Sequence, residues 1–516
     1  MPAIQFIKTL STCQKVLGAT LIFMLLRLLY IGLGPLDLGP DEAQYWDWSR
    51  TLQLSYYSKP AMVTWIHALF ANTFGLIGIS GEVLVRLPAV LIHGLSAMLV
   101  YKLAADFKGE KAGVWAFAMY QVVPIFAAGG LLMVPDVVTG LFWLMALGML
   151  AKMDWHWTDK PLKPFIMLGL VIGLAGLSKY SAGIFYPLLF LFLLVDENRR
   201  KWLFHSHIYV AGLTSLIVML PVWIWNYQNA GVGLKHLAGQ AGGESGSKWM
   251  ETMPEFLAGQ AGVWGGILFI MLLMAWWCTK CKSCKKDEKA QLYFWMSFPI
   301  FAIFFVLSFS SKVQANWPVL ACLGGVILLA GYIADRGKVA KKFAIAGILL
   351  AAFVTSALHD TSIMRATFKV VGAESAIPKK DPMVTLKGWE TTAHMIDVLK
   401  SRIAGDPVVM VRSYGDAAVL SYYLKGQPRV AYANPGGNRM NQYDLWEWPV
   451  EQMKQNLTMF VVDANRVPPR VASLFASCGF MQRIVVTDAN NIHLRNRNVF
   501  LCGGYKGGRP EMATTY

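Results

Sequence analysis

Apolar runs close to twenty residues long recur through the first 360 residues of this chain, and short clusters of Lys and Arg separate them. A run of that length crosses a ~30 Å hydrocarbon core as a helix, which satisfies its backbone hydrogen bonds without water. Eleven spans are expected, near 16–36, 83–105, 113–132, 137–152, 165–178, 181–195, 207–227, 258–279, 292–309, 315–334 and 343–359, the fifth and sixth being short. The fold class expected is therefore a polytopic α-helical membrane protein. With 55% hydrophobic and 15% charged residues among 516, the chain carries too little charge for a soluble protein of its size.

The formal charge of +16 invites a nucleic-acid reading, but no basic stripe interleaved with stacking aromatics lies on a soluble segment. The basic residues follow the membrane-topology rule instead. With the N-terminus inside, the cytoplasmic loops hold clusters around Lys108, Lys160, Arg200, Lys285 and Lys341, while the opposite loops hold only scattered cations such as Lys59, Lys179 and Lys312. Lys8 and Lys15 precede an apolar run that continues to about Leu36 without a clear small-residue cleavage site, so an uncleaved first span is expected. An odd number of spans puts the C-terminal region outside.

Residues 1–360 form the expected membrane domain. From about Ile377 the texture changes to β-rich runs (Pro407–Tyr414, Arg429–Ala433, Leu457–Asp463, Arg483–Thr487) alternating with helix-like stretches (Asp416–Lys425, Pro469–Ser477). This reads as a small accessory α/β domain over 377–516, on the periplasmic side. It contains no nucleotide-binding or hydrolase motif.

The chemistry-bearing residues fall in the outer loops. The loop at about 37–82 contains Pro40-Asp41-Glu42-Ala43-Gln44-Tyr45-Trp46-Asp47-Trp48 and then Tyr56-Tyr57-Ser58-Lys59-Pro60. Pro40 suits the first turn of a helix, acids there favour its N-terminus, and Asp41, Tyr45 and Trp48 would share a face. An interfacial helix with capping acids would look the same. However, Asp136, Lys179 and Lys312 are also expected at the outer rim, Lys312 close to Asn316 and Trp317. Ionisable groups at membrane depth are costly and mark functional sites. Together they suggest one site in which a carboxylate takes a proton from an attacking hydroxyl, lysines hold a departing phosphate, and aromatic rings stack on a sugar.

The Pro40–Ala61, Pro135–Asp136 and Ser310–Pro318 segments resemble the dolichyl-phosphate-mannose mannosyltransferase superfamily of GT-C glycosyltransferases. More narrowly, they are similar to bacterial glycosyltransferase family thirty-nine, distant relatives of the lipid A aminoarabinose transferase. The tract Asn441-Gln442-Tyr443-Asp444-Leu445-Trp446 also looks like those bacterial proteins. The resemblance implies an inverting hexosyl- or pentosyltransferase in the bacterial inner membrane. Its donor would be a polyprenyl-phosphate-linked sugar and its acceptor a lipid A, glycan or protein. It puts the catalytic carboxylate at Asp41 with Glu42 beside it. Donor-phosphate contacts fall to Lys59 and Tyr57, helped by Lys179 or Lys312, and sugar or acceptor contacts to Tyr45, Trp48, Asp136, Asn316 and Trp317. Lys59-Pro60-Ala61 stands where the family carries Lys-Pro-Pro, and Ser58 where the aminoarabinose transferase has an acid. No cofactor is required, although a divalent cation could lie between Asp41 and Asp136.

A transporter or flippase of lipid-linked saccharides is the competing class. It would favour internal repeats or charges at the midplane, and neither is evident. Cys278, Cys281 and Cys284 are spaced C-x2-C-x2-C, but Glu288 stands where a fourth ligand is expected, so free thiols are expected in a reducing compartment. His67 reads as a packed histidine. The Gly- and Ser-rich segment 228–254 could be a connector or a lid. Cys478 and Cys502, alone in the outer domain, are candidates for a disulfide.

Overall fold

A computed structural model describes residues 10–155, 161–241, 249–279, 287–373, 381–435, 440–488 and 491–510. Helices occupy every segment expected to span. Among the described residues, four are long and apolar enough to cross a membrane by themselves: Thr12–Gly32, Gly81–Lys108, Glu288–Leu307 and Lys338–His359. Two bent pairs raise the number to six. Others, such as Pro135–Leu150, Lys163–Gly176 and Val319–Ala334, are shorter than a full crossing.

The continuous span expected at 258–279 is instead two helices, Trp249–Trp264 and Ile267–Cys278, meeting at 102°. Gly265 and Gly266 at the corner have φ of 77° and 65°, a left-handed conformation open to glycine without a Cβ penalty. A gentler 50° bend separates Ser206–Val218 from Leu220–Gln228. There Pro221 enters the second helix at its first turn, where no intrahelical donor is needed.

The helices bury a large aromatic and aliphatic core in which Trp143, Phe185, Trp202 and Trp264 are almost wholly enclosed. Leu21, Ile22, Leu25, Leu213 and Leu349 face outward instead, as a lipid-facing surface requires. Loops segregate to the two ends of the bundle. Lys108 pairs with Asp287 at 2.9 Å and with Asp335 at 3.4 Å, and Lys289 Nζ donates to the Asp106 carbonyl. Three of the basic loops expected to be cytoplasmic are thus joined at one end.

Beyond the last long helix, the chain builds a five-stranded sheet from β1 (Val408–Val411), β2 (Ala431–Tyr432), β3 (Thr458–Val462), β4 (Phe475–Thr487) and β5 (His493–Tyr505), in the order β2-β1-β3-β5-β4. The first three pair in parallel, and β3, β5 and β4 pair antiparallel. The helix expected at Pro469–Ser477 is confined to Pro469–Ala472. Strand β4 begins at Phe475, because Phe475 fills the core under the sheet and pairs with Tyr505. Strand β5 was not expected, since its Arg495-Asn496-Arg497-Asn498 stretch masks the alternation. Cys478 and Cys502 face each other across β4 and β5 and are bonded. Cys278 is a free thiol contacted by Arg336, while Cys281 and Cys284 lie outside the described residues.

Candidate active site

The Pro40–Ser49 helix begins as its sequence dictates. Pro40 occupies the first turn, and Glu42 reaches back to accept the Gly39 N–H at 3.1 Å. Glu42 is not free for catalysis, contrary to the role expected for it. It is 2% exposed and forked onto the buried Arg86 at 3.0 and 2.9 Å, and it also accepts the Met133 N–H at 3.3 Å. Arg86 continues to the carbonyls of Leu36 and Asp37, both at 2.8 Å. This buried pair anchors the helix to the membrane bundle and to the segment leading into Asp136.

Asp41 points the other way, to solvent. Its carboxyl nevertheless sits in a concavity dense with protein. Desolvation raises its pKa from the ordinary value, Lys59 opposes that shift, and Glu42 and Asp136 add to it. Tyr45, one turn further on, is buried, and its phenol is pushed well up by that burial and by both Asp41 and Asp136.

Lys59 is presented by a tight reversal in which the Tyr56 N–H meets the Lys59 carbonyl at 3.1 Å and Ser55 bridges Pro60. Just beyond it, the Met62 N–H donates to the Leu177 carbonyl at 3.0 Å, bringing the Lys179 segment alongside. Lys179 reaches Asp136 at 2.6 Å, Asp136 standing in the first turn of its helix. Asp41, Tyr45, Lys59, Asp136 and Lys179 therefore come together from four chain segments.

Other expected members sit elsewhere. Trp48 is 0% exposed and stacked on Tyr56 at 4.6 Å between centroids, so its ring is core and cannot take a sugar. Lys312 pairs with Glu255 at 2.5 Å on an exposed surface rather than with a first-loop acid. Asn316 is exposed beside it, and Trp317 packs against Phe304. Tyr57 is buried against His236, and its backbone N–H donates to Gln442 Oε1 at 2.8 Å. His67 is buried in its helix. The segment 228–254 includes the Val232–Ala241 helix, and residues 242–248 lie outside those described.

The C-terminal domain closes one side of the site. Gly415 lies so close to Pro40 that a Cβ there would stand 3.0 Å from the proline ring. The preceding Tyr414 opens a helix whose N-terminus Ser413 caps. Arg429 binds the Asp47 carboxylate at 3.4 Å and the Asp47 carbonyl at 3.2 Å. Sequence reading missed Arg86, Tyr414 and Arg429. A charged residue inside an expected span was the available signal for Arg86; the other two are brought in by tertiary packing.

As a cation site the donor set is thin. Among the described residues no group of three or more His, Cys, Asp and Glu converges, and a metal at Asp136 would have to displace Lys179.

Known proteins bear out the resemblance. The structure aligns with that of ArnT from Cupriavidus metallidurans bound to undecaprenyl phosphate, with a TM-score of 0.63 at 15% identity over 94% of this chain and 98% of the other. The apo form aligns equally, with a TM-score of 0.62. This is an ArnT-like GT-C fold. Within it, residues 58–225 match the family model for dolichyl-phosphate-mannose-protein mannosyltransferase. The chain is also 29% identical, over 306 residues, to lipid A galacturonosyltransferase RgtD of Rhizobium johnstonii. That alignment takes in 59% of this chain and 63% of the relative's length, so the chain spans less than two thirds of that relative.

Proposed function

We propose that the chain is an inverting glycosyltransferase of the inner membrane, taking a sugar from a polyprenyl phosphate and passing it to an envelope acceptor at the outer face. The observation that carries this is the grouping of solvent-open Asp41 with Lys59 and the Asp136–Lys179 pair. The similarity to a lipid A galacturonosyltransferase favours lipid A as the acceptor and a uronic acid as the sugar. The bound undecaprenyl phosphate of the ArnT structure supports the donor class.

In this reading Asp41 accepts the proton of the acceptor hydroxyl as its oxygen attacks the anomeric carbon. The bond from that carbon to the phosphate oxygen breaks, and the electron pair leaves with the polyprenyl phosphate. Lys59 stabilises the charge that grows on the leaving oxygen. Asp136 holds Lys179 at the rim, and Tyr45 walls the pocket. None of these steps needs a cation.

The test is transfer by purified protein from a polyprenyl-phosphate-linked sugar to lipid A, with the anomeric configuration of the product read by NMR. Inverted product is expected from the parent protein and at most about a hundredth of it from Asp41→Asn. Movement of intact lipid-linked sugar across vesicles with no transfer would establish the transporter class instead.

A further inference from the structure

The Asn441–Trp446 tract of the C-terminal domain is built as a rigid corner. Asn441 caps the Gln442–Leu445 helix by accepting the Tyr443 N–H at 2.9 Å, and the Asn441 N–H donates to Asp444 Oδ2, also at 2.9 Å. This reciprocal box fixes the backbone from which the next side chain, Gln442, departs. Gln442 is 1% exposed, and its Oε1 accepts the Tyr57 N–H at 2.8 Å. Only the oxygen of the amide can meet an N–H, so the contact also sets which way the amide faces. Gln442 Nε2 is buried without a partner among the described residues. Apolar side chains would avoid the penalty of that unmade donor, so the bond to Tyr57 is the reason for a glutamine here.

Tyr57 and Ser58 are the tip of the reversal that carries Lys59. The Tyr56 N–H meets the Lys59 carbonyl across it, and Ser55 pairs with Pro60 at its foot. Those bonds hold the two arms together but do not aim the tip. The C-terminal domain does so from outside the loop. Gln442 bonds the tip's backbone, and Leu445 packs on the cluster that encloses Tyr57, Trp225, Val232 and Met440. Trp446 packs on the cluster that holds Tyr45 and Tyr56. One short tract thus grips the Lys59 reversal and the Asp41 helix together.

We infer that Gln442 is a positioning residue, which fixes the tip of the reversal so that Lys59 meets the leaving phosphate and stays beside Asp41. The inference rests on the transferase reading above. Three groups act on the Asp41 carboxyl, namely Lys59, Glu42 and Asp136, and of these Lys59 alone favours its charged form. A displaced Lys59 therefore has a signature in the pH profile that general loosening of the fold lacks.

The test uses the full-length protein in lipid nanodiscs, with undecaprenyl phosphate as the binding probe. Amide hydrogen exchange should be slow at Tyr57 in the parent. Gln442→Met keeps the length and removes the acceptor. It should speed that exchange, weaken undecaprenyl phosphate binding about 5-fold, and move the acid limb of kcat to higher pH. Gln442→Asn, one methylene too short to reach, should do the same with a polar side chain and decides the matter if the Met variant does not fold. Gln442→Glu keeps an acceptor oxygen and should restore slow exchange. In a Lys59→Met background, adding Gln442→Met should change binding no further. Fast exchange at Tyr57 in the parent, parent-like binding by the folded variants, or an equal further loss in the Lys59→Met background would overturn the inference. A parent that does not bind undecaprenyl phosphate, although Tyr57 exchange responds to Gln442, would instead sink the donor reading and the inference with it.

Discussion

The Lys179 ammonium lies 2.6 Å from the Asp136 carboxylate, with the two side chains 17% and 19% exposed. The pair links the first turn of the Pro135–Leu150 helix to the segment that follows the neighbouring Lys163–Gly176 helix. A lone Asp136 would repel Asp41, whose pKa it already raises. Asp136→Asn and Lys179→Met should therefore each lower thermal stability, and the double variant should lose less than the sum. Solvent access weakens the coupling, and a double-mutant cycle should give about 1–2 kcal/mol. Additive losses would mean that the contact is incidental.

The raised pKa of Asp41 sets a pH dependence. Desolvation by the surrounding protein comes first among its causes, Lys59 opposes it, and the neighbouring acids add to it. The base form needed for catalysis is lost on acidification at a higher pH than for an ordinary aspartate of ~3.9. The acid limb of kcat against pH should lie above that value, and Lys59→Met should move it further up. Stability responds to pH in the opposite direction to activity. Between the ordinary and the raised value, the folded chain holds more protons on Asp41 than the unfolded chain. Stability from this group is therefore present at low pH and lost as pH rises through the folded value. An acid limb that ignores Lys59→Met would remove Lys59 from the neighbourhood of the base.

Much of this was legible from the sequence for a physical reason. Apolar length and loop charge act on each segment independently, so helix positions can be read one at a time. The Asp41–Tyr45 face and the acids and bases of the outer loops could be read the same way. The outcome for Glu42 could not. Two adjacent acids look alike in sequence, and only the approach of Arg86 from the Gly81–Lys108 helix turns one inward. Trp48 was misread because an aromatic on the Asp41 face looks like a sugar platform until Tyr56 covers it. Lys312 was grouped by its expected side of the membrane, which does not specify which neighbour it meets.

Glu42 and Asp41 should accordingly fail in different ways. Glu42→Gln leaves the buried Arg86 with Glu82 at 3.7 Å and the carbonyls of Leu36 and Asp37, without its closest carboxylate. That should cost about 3 kcal/mol of stability while activity per folded molecule stays close to the parent's. Arg86→Met added to Glu42→Gln should recover part of the loss. Asp41→Asn should leave the melting temperature nearly unchanged while transfer collapses. If Glu42→Gln abolished turnover in fully folded protein, the anchoring role would be wrong.

The bonded Cys478–Cys502 pair belongs to the same end of the molecule as Asp41, since the C-terminal domain packs on the Pro40–Ser49 helix. The loops around Lys108, Asp287 and Asp335 meet at another part of the bundle. If the basic end is cytoplasmic, the disulfide lies in the oxidising envelope, where such bonds persist. A cysteine placed at exposed Ser401 should then react with an impermeant maleimide on intact cells. One placed at Lys338 should react only after permeabilisation. Cys478 and Cys502 should resist alkylation until a reductant is added. Replacing both by Ser should destabilise the domain by at most roughly 3 kcal/mol, given their separation of 24 residues. Residual structure in the reduced, unfolded chain lowers the gain, which is why the figure is an upper bound. Labelling at Lys338 but not Ser401 on intact cells would invert the topology and place the Asp41 site on the cytoplasmic face.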